Sequence, residues 1–205
     1  MVGIDDPDHP GRYGRRVNRR SQPLGAVLAG GAGERLGGSK ATAELAGRPL
    51  ISYPLAAFAD AGIEAVVVAK ASTALPPIKA AVVVEPAEPR HPLVGLVAAL
   101  AHAGGRPIVS CPCDTPLVSA ALLRALAASP GTAAVHDGER LHPLLARYRP
   151  SDLPALERAL AAGDSATAAA ESLPARLIQA DARQVFNVNT REDLAQAASI
   201  VTRAL

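Results

Sequence analysis

Aromatic residues make up only 2% of the 205-residue chain, and tryptophan is absent. That excludes the stacked aromatic platforms on which single-stranded nucleic acid is held. The core has to be filled by Ala, Leu and Val instead, and with 49% apolar residues there is enough material to bury one. Cysteine is nearly missing too: Cys111 and Cys113 are the only two. Spaced two apart near the end of a strand, they share a face. Such neighbours make a poor disulfide, and two thiols cannot close a zinc site, so they read as small packing residues in a reducing compartment. The histidines at 9, 91, 102, 136 and 142 show no metal-ligand spacing and add no zinc site. No apolar run reaches the roughly 18 residues a membrane helix needs, and the N-terminus lacks the apolar stretch of a signal peptide. A soluble, cytoplasmic protein that engages no membrane is expected.

A field of one charge sign is also lacking. The net charge is +2, and it is uneven: residues 1–24 take five of the 21 basic and three of the 19 acidic residues, leaving 16 of each in the remainder. Without a broad basic surface, no nucleic-acid partner is expected. Residues 1–23 carry Gly, Pro, Arg and Asp with no apolar period and read as a disordered arm, followed by a single domain over 24–205.

In that domain, short apolar β-type runs alternate with alanine-rich segments. Strands are predicted at 26–29, 65–69, 81–84 and 107–111, and helices at 50–61, 93–103 and 119–128. Continuous apolar strands between helices imply a parallel sheet covered on both faces. Pro54 suits a first helical turn better than an interior, so the first helix is expected to start later or bend. The second half differs. Segments 132–136 and 141–148 flank Asp137-Gly138, a hairpin turn signal. Helices are predicted at 151–161 and 165–172, a short strand at 175–178, and a last helix at 191–205 capped by Thr190 with Asp193 three residues on. The fold class expected is α/β, Rossmann-like in its three-layer α/β/α arrangement, mostly parallel with antiparallel pairing in the C-terminal half.

The segment Ala26 to Lys40, AVLAGGAGERLGGSK, carries the strongest chemical signal. Glycines let backbone N–H groups approach a ligand closely, and successive inward amides form an anion-binding concavity. Arg35 and Lys40 add full positive charge, so a polyphosphate is the expected guest. The P-loop pattern fails, because Ser39-Lys40 stands in reversed order. The dinucleotide fingerprint fails as well: Leu36 takes the place of its third glycine, and Ala69-Lys70 ends the second strand without a carboxylate. A different nucleotide loop is implied. Downstream, Asp114 in Cys111-Pro112-Cys113-Asp114-Thr115-Pro116 follows an apolar strand. Ligands in open α/β sheets bind outside the carboxyl ends of strands, so Asp114 and the glycine loop are expected on one edge. There Asp114 reads as a ligand for Mg²⁺, which favours one or two carboxylates plus substrate phosphates, or as an Asx turn or helix cap. In Phe186-Asn187-Val188-Asn189-Thr190, an extended backbone turns Asn187 and Asn189 to the same face, where they orient a substrate or form part of a turn.

Together and in this order, these features resemble the molybdenum cofactor guanylyltransferases, also called molybdopterin-guanine dinucleotide synthases. Leu28 to Lys40 is similar to the family's LAGG-x-R-(M/L)-G-x-K signature, and His91-Pro-Leu-Val-Gly95-Leu to its G-P-L-x-G segment. Cys111 to Pro116 is similar to its C-D-x-P metal strand, Val135 to Pro143 to a stretch of characterised members, and Phe186 to Thr190 to its V-N-V-N-T segment. The match spans roughly residues 24–204. It implies a nucleotidyltransferase fold and transfer of GMP from GTP to the phosphate of molybdopterin or molybdenum cofactor. Leu28, Ala29, Gly30, Gly31, Lys40 and Asp114 would hold the nucleotide. Arg35, Lys40 and Asp114 would act on the reacting phosphates, Asp114 would bind Mg²⁺, and Asn187 and Asn189 would lie near the acceptor. Arg140 is a further candidate for the pterin phosphate. Transient contact with molybdoenzymes or other cofactor-biosynthesis proteins is implied too. The chain departs from the family at His91, where glycine is usual, at Ala69, where Asn is common, and at Glu85-Pro86, near the place of the usual aspartate. Gly30 leans toward guanylyl rather than cytidylyl transfer. Other nucleotidyl transfers, to a phospho-sugar or phospholactate, and a non-catalytic cofactor carrier are the competing readings.

Overall fold

The apolar run that leads into the glycine loop forms a central strand of the sheet. The computed structural model describes residues 22–31, 36 and 38–203. The expected arm thus lies, up to residue 21, outside the described residues, as do Gly33, Arg35 and Gly37 of the loop. Gln22 and Pro23 are held against the domain, their carbonyls accepting from the Arg106 guanidinium at 3.1 and 3.4 Å.

In chain order the elements are Leu24–Leu28 (β1), Glu44–Leu45 (β2), Arg48–Pro49 (β3), Ser52–Ala61 (α1), Ala65–Lys70 (β4), Val82–Glu85 (β5) and Pro92–His102 (α2). Then come Ile108–Pro112 (β6), Ala120–Ala128 (α3), Ala133–His136 (β7), Leu141–Tyr148 (β8), Leu153–Ala162 (α4), Ala166–Glu171 (α5), Arg176–Gln179 (β9) and Arg191–Arg203 (α6). β2 and β3 form a small antiparallel pair, and the other seven strands one sheet in the order β5-β4-β1-β6-β8-β7-β9. The pairs β5-β4, β4-β1 and β1-β6 are parallel. β8 pairs antiparallel with β6 and β7, and β9 is parallel to β7. The antiparallel component expected of the second half is therefore one strand, β8.

Strands buried on both faces need helices on both faces. On one side Val27, Val67 and Val109 pack with Phe58 of α1 and Leu123 and Leu126 of α3. On the other, Ala26, Val68 and Ile108 pack with Leu93 and Leu96 of α2 and Leu156 of α4. This is the three-layer arrangement. The two cysteine thiols are free and buried, as small packing residues on the first side. Pro54 is the third residue of α1, so the helix begins at Ser52 and the proline occupies its first turn, where no intrahelical N–H is needed.

A third cluster positions the site. Val188 is fully buried with Leu45, Leu50 and Ala197 of α6. Thr190 and Asp193 close a capping box at the start of α6: Asp193 N–H donates to Thr190 Oγ1 at 3.1 Å, and Thr190 N–H donates to Asp193 Oδ2 at 2.9 Å. With Val188 turned inward and the backbone extended, Asn187 and Asn189 are left facing the other way.

Candidate active site

Parallel strands deliver their carboxyl ends to one edge, and the residues singled out in the sequence gather there. A cleft of about 870 Å³ is lined by Leu28, Gly30, Gly31, Lys40, Asp114 and the two asparagines, 187 and 189. That volume is within the range of small-molecule sites. β1 and β6 are paired in register through Leu28 and Pro112, and Cys113 N–H donates to Leu28 O at 2.9 Å. The glycine loop and the Asp114 turn are therefore joined at their roots. Ala29 does not line the cleft. It is 1% exposed, and its N–H donates to Val68 O at 2.8 Å, so it serves as the last core residue before the loop turns out. Arg35 lies outside the described residues.

At the floor of the cleft, Lys40 Nζ donates to Asp114 Oδ2 and to Asn189 Oδ1, both at 2.6 Å. Val188 N–H donates to Asp114 O at 2.8 Å, and Thr115 Oγ1 donates to Asn187 Oδ1 at 2.9 Å. The cation, the carboxylate and both amides thus belong to one network built from three separate chain segments. Asp114 is 8% exposed, and its second oxygen, Oδ1, is buried without a hydrogen-bond partner among the described residues. A buried carboxylate oxygen left unpaired is costly, and here it lies at a cleft that can supply further ligands. No group of three or more His, Cys, Asp or Glu able to hold a metal occurs among the described residues. The donor set thus fits a hard cation that takes one protein carboxylate and completes its shell with phosphate oxygens and water. It does not fit a thiolate-bound metal: burial first, then the Asp114 charge, pushes the Cys113 thiol up to about 12, and thiolates, not thiols, ligate.

The other end of the cleft holds residues that motif reading missed. Lys70 and Glu85 are register partners at the ends of β4 and β5. Their charged groups are 3.5 Å apart, and the ammonium also donates to the carbonyls of Pro86 and Ala87 at 2.9 and 2.8 Å. Burial raises the Glu85 carboxyl above its ordinary value, and Lys70 pulls it part of the way back. The carboxylate is wedged between two glycines. A Cβ added at Gly30 would stand 2.6 Å from Glu85 Cδ, and one at Gly95 would stand 2.8 Å from Oε2. Glycine at these two positions is what lets the carboxylate lie across the cleft wall. The signal in the sequence was an acidic residue ending one strand and a basic residue ending another, but their pairing depends on register. His91, the departure from the family's glycine, lines the same cleft and caps α2, its Nδ1 accepting from Leu93 N–H at 3.2 Å.

Arg140 is not in the main cleft. It lines a second cavity of about 310 Å³, which shares Pro112, Leu144 and Asn187 with the first. Its side chain is 68% exposed and stands 3.8 Å from Asp137 Oδ2. No helix among the described residues is long and apolar enough to cross a membrane.

Comparison with known proteins gives the family. Residues 25–185 match the model of the MobA-like NTP transferase domain. The molybdenum cofactor guanylyltransferase of Cereibacter sphaeroides is 34% identical over 188 residues, covering 88% of this chain and 97% of the relative. That of Serratia proteamaculans is 34% identical over 178 residues, covering 82% and 90%. Among solved structures, molybdopterin-guanine dinucleotide biosynthesis protein A from Archaeoglobus fulgidus superposes with a TM-score of 0.73 at 26% identity, covering 88% of this chain and 99% of that one. A glycine loop and an acidic turn joined at one sheet edge, carried on a chain matched along nearly its whole length, place this protein in the molybdenum cofactor guanylyltransferase family of MobA-like nucleotidyltransferases.

Proposed function

We propose that the cleft transfers GMP from GTP to the phosphate of molybdopterin or its molybdenum-loaded form, releasing pyrophosphate. The observation that carries this reading is the Lys40–Asp114–Asn189 cluster, with its unpaired Asp114 Oδ1, at the edge where the glycine loop leaves β1. Two anions have to meet for this reaction, so the protein's work is positioning and charge neutralisation.

The amide of Gly31 and the ammonium of Lys40 hold the triphosphate, while Gly30, which lies against Glu85, faces the nucleoside; Arg35, outside the described residues, is a further candidate for the reacting phosphates. Family members of this kind work with a divalent metal, and Asp114 would hold it, as Mg²⁺. When bound, Mg²⁺ supplies Lewis-acid neutralisation at the phosphates and a template for their alignment. Lys40 and Asp114 pair at 2.6 Å, so a cation held by Asp114 would leave the ammonium to the phosphate chain. Asn187 and Asn189 face the acceptor side, where Asn187 forms the wall shared by the two cavities. An oxygen of the acceptor phosphate attacks the α-phosphorus, and the bond to the β-phosphate oxygen breaks.

At the far end, the Glu85 carboxylate reads the base. Guanine presents two adjacent donors, N1–H and N2–H, which a carboxylate can accept together. Cytosine offers a single amino donor beside acceptors that would face the negative charge. Release of pyrophosphate on mixing the protein with Mg²⁺, molybdopterin and either GTP or CTP tests the reading: GTP should support turnover and CTP should not. Binding of both substrates with no pyrophosphate released would instead favour a carrier.

A further inference from the structure

The second cavity exists because β8 leaves the regular sheet. Ala133 and Ala134 of β7 pair with Arg147 and Ala146, but the next partners are Val135 with His142 and His136 with Leu141. Pro143, Leu144 and Leu145 therefore have no register partner in β7, and β6 pairs with β8 only as far as Ala146. Proline cannot donate to a ladder and is found in sheets at such irregularities. The distortion is braced: the buried Tyr148 hydroxyl donates to Pro143 O at 2.7 Å. Bulges re-aim side chains next to binding sites, and this one sets His142 beside the cavity.

His142 is held by Asp137. Its Nε2 lies 2.8 Å from Asp137 Oδ2, and the two side chains are 10% and 9% exposed. The other oxygen, Oδ1, accepts the backbone N–H groups of Glu139 and Arg140 at 2.9 and 2.8 Å. Those contacts, the Arg140 amide first and the His142 ring next, keep the Asp137 carboxyl well below its usual range. The carboxylate is thus acceptor-only, and Nε2 must carry the proton. That leaves Nδ1, which has no partner among the described residues, for a ligand in the cavity. Thr115 and Thr167 add hydroxyls to the lining, and Arg140 adds a guanidinium at the rim.

We propose that the second cavity is the acceptor subsite and that the Asp137–His142 pair, with Arg140, binds the acceptor's phosphomonoester. The inference rests on the guanylyl-transfer reading and adds the residues that hold the second substrate. A protonated imidazole donates from Nδ1 to the phosphate dianion while its positive charge stays balanced by Asp137 behind it. Such charge-assisted bonds are the strong ones. His142 touches the substrate; Asp137 is a positioning residue that fixes the ring's tautomer.

Two substitutions test this with the turn left intact. Asp137→Asn keeps an oxygen for the two backbone N–H groups but turns an amide N–H toward Nε2, so the ring must offer a lone pair there and cannot carry the second proton. His142→Gln removes the ring. Molybdopterin binding is measured by titration, GTP binding likewise, and folding by thermal melting; turnover is followed with each substrate varied in turn. Each variant should weaken molybdopterin binding and raise its KM by tenfold or more, with GTP binding within twofold and melting within a few degrees of wild type. The double variant should be no worse than the poorer single one. Unchanged molybdopterin affinity in a folded variant overturns the proposal, as does an equal loss of both substrates. Wild-type protein that binds molybdopterin but transfers no GMP overturns the reaction while the affinity comparison still decides the subsite; wild-type protein that does not bind molybdopterin overturns both.

Discussion

Gly30 carries more of the account than its size suggests, and Gly30→Ala is its sharpest mechanical test. The added Cβ would stand 2.6 Å from Glu85 Cδ and closer still to Oε1, well inside the roughly 3.5–4.0 Å at which carbon atoms attract. Gly30 follows directly on Ala29, whose N–H is tied to Val68 O at 2.8 Å, so the Glu85 carboxylate is the part that has to move. Moving it separates the Lys70 pair, whose side chains are 17% and 6% exposed. Breaking a pair buried to that degree costs more than the roughly 1 kcal/mol of an exposed one, so the melting temperature should fall by at least about 2–4 °C. Nucleotide affinity should fall too. Hydrogen bonds to a charged group contribute about 1.5–3 kcal/mol each, so losing even one of the two at a displaced Glu85 should weaken GTP about 10- to 100-fold. Adding Glu85→Ala removes the clash, so Gly30→Ala/Glu85→Ala should melt like Glu85→Ala alone while still binding GTP poorly and choosing poorly between GTP and CTP. Differential scanning fluorimetry and calorimetric titration with both nucleotides read these outcomes. Gly30→Ala binding GTP as wild type does, or an intact preference for GTP without the Glu85 carboxylate, would remove Glu85 from nucleotide recognition.

Other outcomes follow from the same geometry. Asp114→Asn should lower kcat on the order of 10² to 10⁴-fold, because a Lewis acid at the phosphates contributes several kcal/mol and each 1.4 kcal/mol is tenfold. A Mg²⁺-dependent pyrophosphate-release assay checks this, with thermal melting run beside it, because the variant leaves the Lys40 ammonium without its counter-charge and should melt somewhat lower while staying folded. Lys40→Ala should weaken GTP binding and slow turnover together; unchanged values for both would leave the ammonium without a role. Thr190→Ala should cost about 1 kcal/mol of stability through the α6 cap, seen as a lower midpoint in urea. Asp193 in the same cap is lowered from its ordinary value, first by the Asn189 N–H it accepts. Its contribution is therefore present above the unfolded value of about 3.9 and lost as pH falls through the folded one. The melting gap between wild type and Asp193→Ala should be full near neutrality and shrink below about pH 4; a gap independent of pH would contradict the sign.

Much of the fold was legible because apolar periodicity and turn chemistry are local. The runs that became β1, β4 and β6 are apolar without alternation because both faces are covered, whereas in the edge strand β5 Val82 and Val84 are exposed. Asp137-Gly138 marked the hairpin, Gly138 taking φ +100°, and Thr190 with Asp193 marked the start of α6. Lys40, Asp114, Asn187 and Asn189 could be singled out because each sits in a short segment with chemistry of its own. What stayed hidden depends on register. Lys70 and Glu85 meet only because β4 and β5 pair at those positions. His142 faces a cavity only because β8 skips three residues against β7, and nothing local in Pro143-Leu144-Leu145 says how large the skip is. Ala29, which the resemblance assigns to the nucleotide, has its N–H consumed by Val68, as befits the end of the predicted strand, and it stays in the core.

If Asp114 holds a divalent ion at the phosphates, Lys40 should turn from the carboxylate to the nucleotide when GTP binds. Mn²⁺ in place of Mg²⁺, located by anomalous diffraction in a GTP complex, would show both at once. One ion should be found at Asp114 and the phosphate oxygens, with Lys40 parted from Asp114 and lying against the phosphate chain. An ion bound elsewhere, or an intact Lys40–Asp114 pair with the nucleotide in place, would overturn the proposed role of both residues.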